Sequence, residues 1–216
     1  MYLESIWRYP VKSLGGEPRD EAEVTTAGIV GDRLVHVETA GRVVTARTRP
    51  ALLGLAGTLG DDGEPLIDGL DWRDPRALAA VRGAAGSHAE LRFYDGPERF
   101  DVLPLLVATD GAIAEFGRDG RRLRPNLVIG GVEGLDERNW PGRTLAIGDV
   151  RIHISNLRAR CVMTTIDPDT LEQDHSVLRD IVSRFDATLA LDCAVINPGR
   201  VKVGDAVSLL GADFAA

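Results

Sequence analysis

Cysteine is rare in this 216-residue chain, with two, Cys161 and Cys193. Lysine stands only at positions 12 and 202, so arginine supplies the rest of the 25 basic residues. Two cysteines cannot build a disulfide scaffold, and there is no C-x-x-C. None of the four histidines, His36, His88, His153 and His175, has a His, Cys or carboxylate neighbour at zinc-ligand spacing. No G-x-G-x-x-G opens a helix and no Walker loop is present, which removes the usual signs of nucleotide chemistry. No G-x-S-x-G is present either, so an α/β-hydrolase nucleophile is not expected. No apolar run approaches the roughly 18 residues of a membrane span. The opening "MYLESIWRYPVKS" carries Glu4, Arg8 and Lys12 where a secretory signal would be apolar. The expectation is a cytoplasmic protein with reduced thiols. A net charge of −8 argues against a nucleic-acid binder, while leaving room for a local basic pocket.

What is present is a series of short β-type segments bounded by Gly, Pro, Asn or Asp. Among them are "YLESIWRY", "EAEVTTAG", "RLVHVET", "AELRFY", "PNLVIGG", "VRIHIS", "CVMTTID" and "ALDCAVI". "RTLAIGDVRIHIS" reads as a hairpin turning at Gly148-Asp149, and "PGRVKVGDAVSLL" repeats that logic. Three helices are expected. One starts at Pro75 and runs to about Arg82, and one lies between Thr109 and Gly117. The third is in "DHSVLRDIVSRF", with Val177, Leu178, Ile181, Val182 and Phe185 on one face. The fold class is therefore mainly β (α+β). A Gly- and Pro-rich stretch from Gly60 to Pro97 suggests a seam between an N-terminal β subdomain, residues 1–97, and a C-terminal β barrel, residues 98–212.

Cationic residues recur beside turns. "YPVKSLGG" offers Lys12, Ser13 and free backbone amides to an anion. "GIVGDR" places Arg33 before a strand, and "RRLRPNLVI" places Arg121, Arg122 and Arg124 before another. Each alone reads as a solvated charge; together they can make an anion site. In "LRARCVMTTIDPDT", Cys161 follows Arg158 and Arg160, and neighbouring cations favour the thiolate that binds metals. Strand alternation would point Arg160 away from the Cys161 side chain. From composition alone Cys161 reads more readily as a buried structural thiol, and Cys193 in "LDCAVI" fits that reading better still.

Four of these stretches, in order, carry a resemblance: "IWRYPVKS…EAEVTTAGIVGDR", "LRPNLVI", "RCVMTTIDPDT" and "NPGRVKVGDAVSLL". The chain resembles the MOSC family, named for the C-terminal domain of molybdenum cofactor sulfurase. Within it, the branch of the mitochondrial amidoxime-reducing component is most similar. The resemblance implies an N-terminal β-barrel region followed by a catalytic MOSC domain. It implies molybdenum bound to molybdopterin as cofactor, with Cys161 as the protein's metal ligand and catalytic centre, a role that suits a soft thiolate. It further implies that Lys12, Ser13, Arg33, Arg124 and Arg160 hold the pterin phosphate and ring, with Asn126, Thr164, Thr165 and Asp167 supporting them. It leaves pyridoxal phosphate binding open.

The implied activity is reduction of N-hydroxylated substrates, amidoximes and hydroxylamines, by oxygen-atom removal. The alternative is a cofactor carrier or sulfur-handling protein without that turnover. An external electron donor is implied, an iron–sulfur or haem protein with its reductase, because the chain has no spare cysteine cluster. Asp167, Asp169 and His175 are the proton-donor candidates. Departures from the family pattern cluster at the expected substrate mouth. Ala159 stands where a small hydroxyl residue is usual, Leu171 where glycine is usual, and Arg138 where a carboxylate is common. Val102 and Leu103 offer no hydroxyl, and "TLALDCAVI" lacks the family's aromatic-glycine element.

Overall fold

Two ten-residue strands, Val150–Ala159 and Thr188–Asn197, pair antiparallel in the middle of an eight-stranded sheet. Val150, Ile152 and Ile154 of the first face the core at period two. The computed structural model describes residues 1–211. The sheet's strands are β1 (Tyr2–Arg8), β2 (Glu17–Arg19), β3 (Leu105–Thr109), β4 (Leu127–Gly130), β5 (Thr144–Ile147), β6 (Val150–Ala159), β7 (Thr188–Asn197) and β8 (Val207–Leu210). Their order is β8-β5-β6-β7-β3-β4-β1-β2. Every neighbouring pair is antiparallel except β3 and β4, whose parallel pairing needs a crossover. Helix α2 (Asp110–Phe116) supplies it, capped by Thr109 and stopped by Gly117 in the left-handed region.

The protein is mainly β, as expected, with three short helices, but the barrel does not close. The two ends of the sheet meet at one isolated bridge, Tyr2 with Ala206, and at Leu3 N donating to Asp205 O at 2.8 Å. Three small three-stranded sheets complete the fold. One of them joins Val35–Thr39 to Glu90–Phe93 and Arg42–Val44, and α1 (Pro75–Ala85) lies over its core through Ala77 and Val81. The two sequence regions interlock: β1 pairs with β4, and Glu21–Thr25 pairs with Gly199–Lys202.

Three local expectations are corrected. "CVMTTID" is a 3-10 turn at Val162–Thr165, because the Thr164 and Thr165 hydroxyls donate to the carbonyls of Cys161 and Val162 and compete with strand pairing. "PGRVKVGDAVSLL" is no hairpin: its first half pairs with Glu21–Thr25 and its second half with β5. On α3 (His175–Phe185), Val177, Ile181 and Phe185 form the buried ridge, while Val182 turns outward and is 55% exposed. Cys193 lies fully buried in the main core, where burial pushes its thiol well above the ordinary range.

Glu137 is also buried there, accepting from Thr109 Oγ1 at 2.6 Å and Ala190 N at 3.2 Å. Burial raises its pKa against those hydrogen bonds. A carboxyl whose folded pKa lies above its unfolded one stabilises the fold below the unfolded value, and that contribution is lost as pH rises through the folded value. Glu137→Gln is therefore expected to raise the melting temperature at neutral pH. The gain should vanish as pH falls into the ordinary glutamate range, which a series of thermal melts would read.

Candidate functional site

Cys161 sits where β6 ends and the 3-10 turn begins. Arg160 N donates to Ala187 O at 2.8 Å, and this bond lies beyond the last paired residue of the strand. Strand alternation therefore stops before Cys161, and Arg160 and Cys161 face the same cavity instead of opposite sides. The turn is fixed from behind. Thr164 and Thr165 are fully buried; Thr164 Oγ1 donates to Cys161 O at 2.9 Å, and Thr165 Oγ1 accepts from Gln173 Nε2 at 3.0 Å. Thr164→Val is expected to cost about 1 kcal/mol in chemical denaturation, the net worth of one such hydrogen bond.

The cavity measures ≈ 110 Å³ and gathers Lys12, Ser13, Arg33, Arg124, Arg160 and Cys161, residues from both ends of the chain. Three of them hold left-handed backbone without being glycine: Ser13 at φ 72°, Arg33 at φ 55° and Arg124 at φ 55°. Such conformations cost about 1–3 kcal/mol each and persist where surrounding structure enforces them. The enforcement is visible. Arg33 N donates to Tyr9 O at 2.7 Å, its guanidinium pairs with fully buried Asp32, and Arg124 Nη2 donates to Leu14 O at 2.7 Å. Arg33 and Arg124 both lie over the Tyr9 ring, with guanidinium carbons 5.2 and 4.2 Å from its centroid. Burial pushes the Tyr9 phenol up to about 12, so the ring stays neutral beneath them.

Seven cations line this cavity on an acidic protein: Lys12, Arg33, Arg47, Arg122, Arg124, Arg158 and Arg160, against one carboxylate, Asp101. Five are already paired with acids. Arg33 pairs with Asp32, Arg122 with Asp167 at 2.7 Å, Arg158 with Asp192 at 3.0 Å, and Lys12 and Arg47 with Asp101. Arg124 and Arg160 have no carboxylate at ion-pair distance among the described residues. Each keeps some surface open to the cavity, yet protein encloses both guanidinium groups, which draws their pKa values down to about 10. Arg160 Nη2 donates to Leu123 O at 2.8 Å, but its Nε is buried with no partner at all. A cation left short of both charge and hydrogen bonds calls for an anionic acceptor in the cavity.

The other expected site residues stand behind the wall. Asn126 is buried, accepting from Leu106 N at 3.1 Å and donating to Trp7 O and Asp32 at 3.3 Å, so it braces β1 against the Arg33 pair. Asp167 clamps Arg122 and accepts from the Asp169 and Thr170 amides. Of the proton-donor candidates, Asp169 binds Arg121 at 2.6 Å and lines the adjoining larger chamber but not this cavity, while His175 opens α3 on the exposed surface and lines neither. Ala159 does line it, with no hydroxyl to offer. Arg47 and Asp101 were missed from sequence; neither belongs to a motif, and only the fold of the small sheet brings them in.

A larger chamber of ≈ 460 Å³ opens beside the first and shares Arg122, Arg124 and Met163 with it. Trp7, Tyr9, Leu53, Leu55, Ile166 and Leu171 give it apolar walls. Leu171 takes the left-handed conformation at φ 61°, the backbone that favours glycine. It packs so closely on Gly54 that a Cβ there would meet it at 2.8 Å.

Comparison with known proteins fits this architecture. The family model described as MOSC domain matches residues 111–208, and the one described as MOSC N-terminal beta barrel domain matches residues 1–71. The mitochondrial amidoxime reducing component 2 of Rattus norvegicus is 47% identical over an alignment that covers 78% of this chain and 67% of that protein. The chain belongs to the MOSC family. This MOSC chain is also similar to the mitochondrial amidoxime-reducing component 1 of Homo sapiens, at 24% identity with 97% of this chain and 83% of that one covered. In fold it matches the YUAD protein from Bacillus subtilis with a TM-score of 0.53 at 14% identity, covering 96% of this chain and 94% of that one. No helix among the described residues is long and apolar enough to cross a membrane.

Proposed function

We propose that this MOSC protein is a molybdenum-cofactor-dependent oxidoreductase that reduces N-hydroxylated substrates, amidoximes or hydroxylamines. The observation that carries the reading is the cavity beside Cys161, where, among the described residues, Arg124 and Arg160 lack counter-charges and Arg160 Nε lacks any partner. That deficit fits an anionic ligand with several acceptor atoms, such as a phosphorylated pterin. The names of the relatives, amidoxime-reducing components, support the substrate class.

In this reading Lys12, Ser13, Arg33, Arg124 and Arg160 would hold the phosphate and the polar pterin ring. Cys161 would supply a thiolate to the metal, which must be deprotonated to bind. Among the described residues no cluster of three or more His, Cys, Asp or Glu exists, so Cys161 would be the metal's protein donor in a set otherwise brought by the cofactor. When bound, the cofactor supplies the two-electron removal of an oxygen atom, with electrons from an external iron–sulfur or haem donor. The chain's own task is placement. Thr164, Thr165 and Asp167 fix the turn that carries Cys161, and Asn126 braces β1 and the Asp32 carboxylate that pairs with Arg33. The chamber next door would hold the substrate's body against its apolar walls, with Arg121, Arg122, Arg124 and Asp169 as its polar lining.

The test is turnover of an aryl amidoxime by the purified, cofactor-loaded protein with a chemical electron donor. Amidine formation is the expected result. Loaded protein that makes no amidine or amine from any N-hydroxylated compound would favour the carrier or sulfur-handling reading.

A further inference from the structure

The single carboxylate in the cavity stands where an anion would. Asp101 Oδ1 lies 2.8 Å from Lys12 Nζ, while Oδ2 lies 2.7 Å from Arg47 Nη2 and 3.7 Å from Arg158 Nη2. Those cations come from three separate parts of the chain: the loop after β1, the segment after Arg42–Val44, and β6 itself. One oxygen thus faces two guanidinium groups, Arg47 at hydrogen-bond length and Arg158 beyond it, the Arg158 hydrogen bond going to Asp192 at 3.0 Å. Residues 101–104 form bends between the turn at Pro97–Arg99 and β3, and Val102 beside them is 54% exposed.

We propose that Asp101 is an internal counter-anion that sets the ligand selectivity of this cavity. A ligand must take Lys12, Arg47 and Arg158 from it, which a dianionic tetrahedral oxyanion of the phosphate-monoester class does and a monoanion does not. The charge and the oxygen count both point this way. Asp101 brings one charge and two oxygens to three cations, of which only Arg158 has a second carboxylate, Asp192, whereas a phosphate monoester brings close to two charges and three free oxygens, one acceptor for each cation. Burial alone would raise the Asp101 pKa, but the Lys12 hydrogen bond and the charges of Lys12, Arg47 and Arg158 hold it below the ordinary value. The competing carboxylate is therefore charged at neutral pH. The inference rests on the anion-holding half of the proposed function and not on the metal.

The experiment is calorimetric titration of the full chain, made in a host without molybdopterin, with sodium sulfate and with sodium nitrate. Wild type is expected to bind sulfate and to show no nitrate binding. Asp101→Asn should bind sulfate at least tenfold more tightly and should now bind nitrate, and adding Lys12→Gln should remove that gain. Sulfate binding in a folded Asp101→Asn or Asp101→Ser protein no tighter than wild type would overturn the proposal and make Asp101 a structural clamp. The absence of sulfate binding in every form would overturn it too. Each of those results leaves the cofactor reading to be judged separately by the molybdenum and pterin content of loaded protein.

Discussion

Cys161→Ala is expected to strip molybdenum from the protein while leaving the pterin in place, and to lower N-reductive turnover by at least about 100-fold. The two losses separate because different elements hold the two parts. Three of the four cofactor-holding cations, Lys12, Arg33 and Arg124, come from the loop after β1, the Arg33 turn and the segment before β4; only Arg160 shares the end of β6 with Cys161. Stability should barely change, since Cys161 is half-exposed and outside the three apolar cores. Cys193→Ala is the matched control. It removes a fully buried thiol from the main core, so it should cost roughly 1 kcal/mol in stability and leave metal content untouched. Metal analysis, oxidised-pterin fluorescence and denaturant melts on the two variants would read the contrast. Loss of metal from Cys193→Ala, or its retention in Cys161→Ala, would break the assignment.

Arg160→Met is expected to act in the opposite sense on stability and on function. Arg160 is enclosed, draws its pKa down to about 10, and leaves Nε without a partner. Removing a poorly compensated charge recovers its desolvation cost, against about 1 kcal/mol for the lost bond to Leu123 O. The cofactor-free variant should therefore be as stable as wild type or about 1 kcal/mol more so. Its pterin occupancy should fall at least tenfold, because a charge-assisted donor to the anion is gone. This pairing of gain and loss marks a residue kept for binding at the expense of the empty fold. A variant that is clearly less stable yet still loaded would instead make Arg160 a structural residue.

Much of this was legible in the sequence, for identifiable reasons. The three helices carried their own signals: Asp74-Pro75 at the start of α1, Thr109 capping α2, and the Val177, Ile181, Phe185 spacing of α3. The hairpin at Gly148-Asp149 was equally local, with Gly148 at φ 53° in its turn. Convergence was not. Lys12 and Cys161 are far apart in sequence, and only the β1–β4 and β6–β7 pairings bring their loops to one cavity. The strand expected over "CVMTTID" failed because threonine serves two structures, and here its hydroxyls folded back on the chain. Leu171 shows the same limit: its sequence departs from the family's glycine, but the left-handed backbone that makes the departure costly is visible only in the fold. Asp101 escapes notice beside Val102 and Leu103, whose missing hydroxyls are legible, because nothing local shows the three cations that surround it.

The most direct test of the central claim is the molybdenum and pterin content of the wild-type chain, purified from a host that makes molybdopterin. Mass spectrometry for the metal and fluorescence of the oxidised pterin should each approach one equivalent per chain. A chain that carries neither, even after reconstitution, would contradict the account and leave Cys161 a strand-end thiol beside an anion site of another kind.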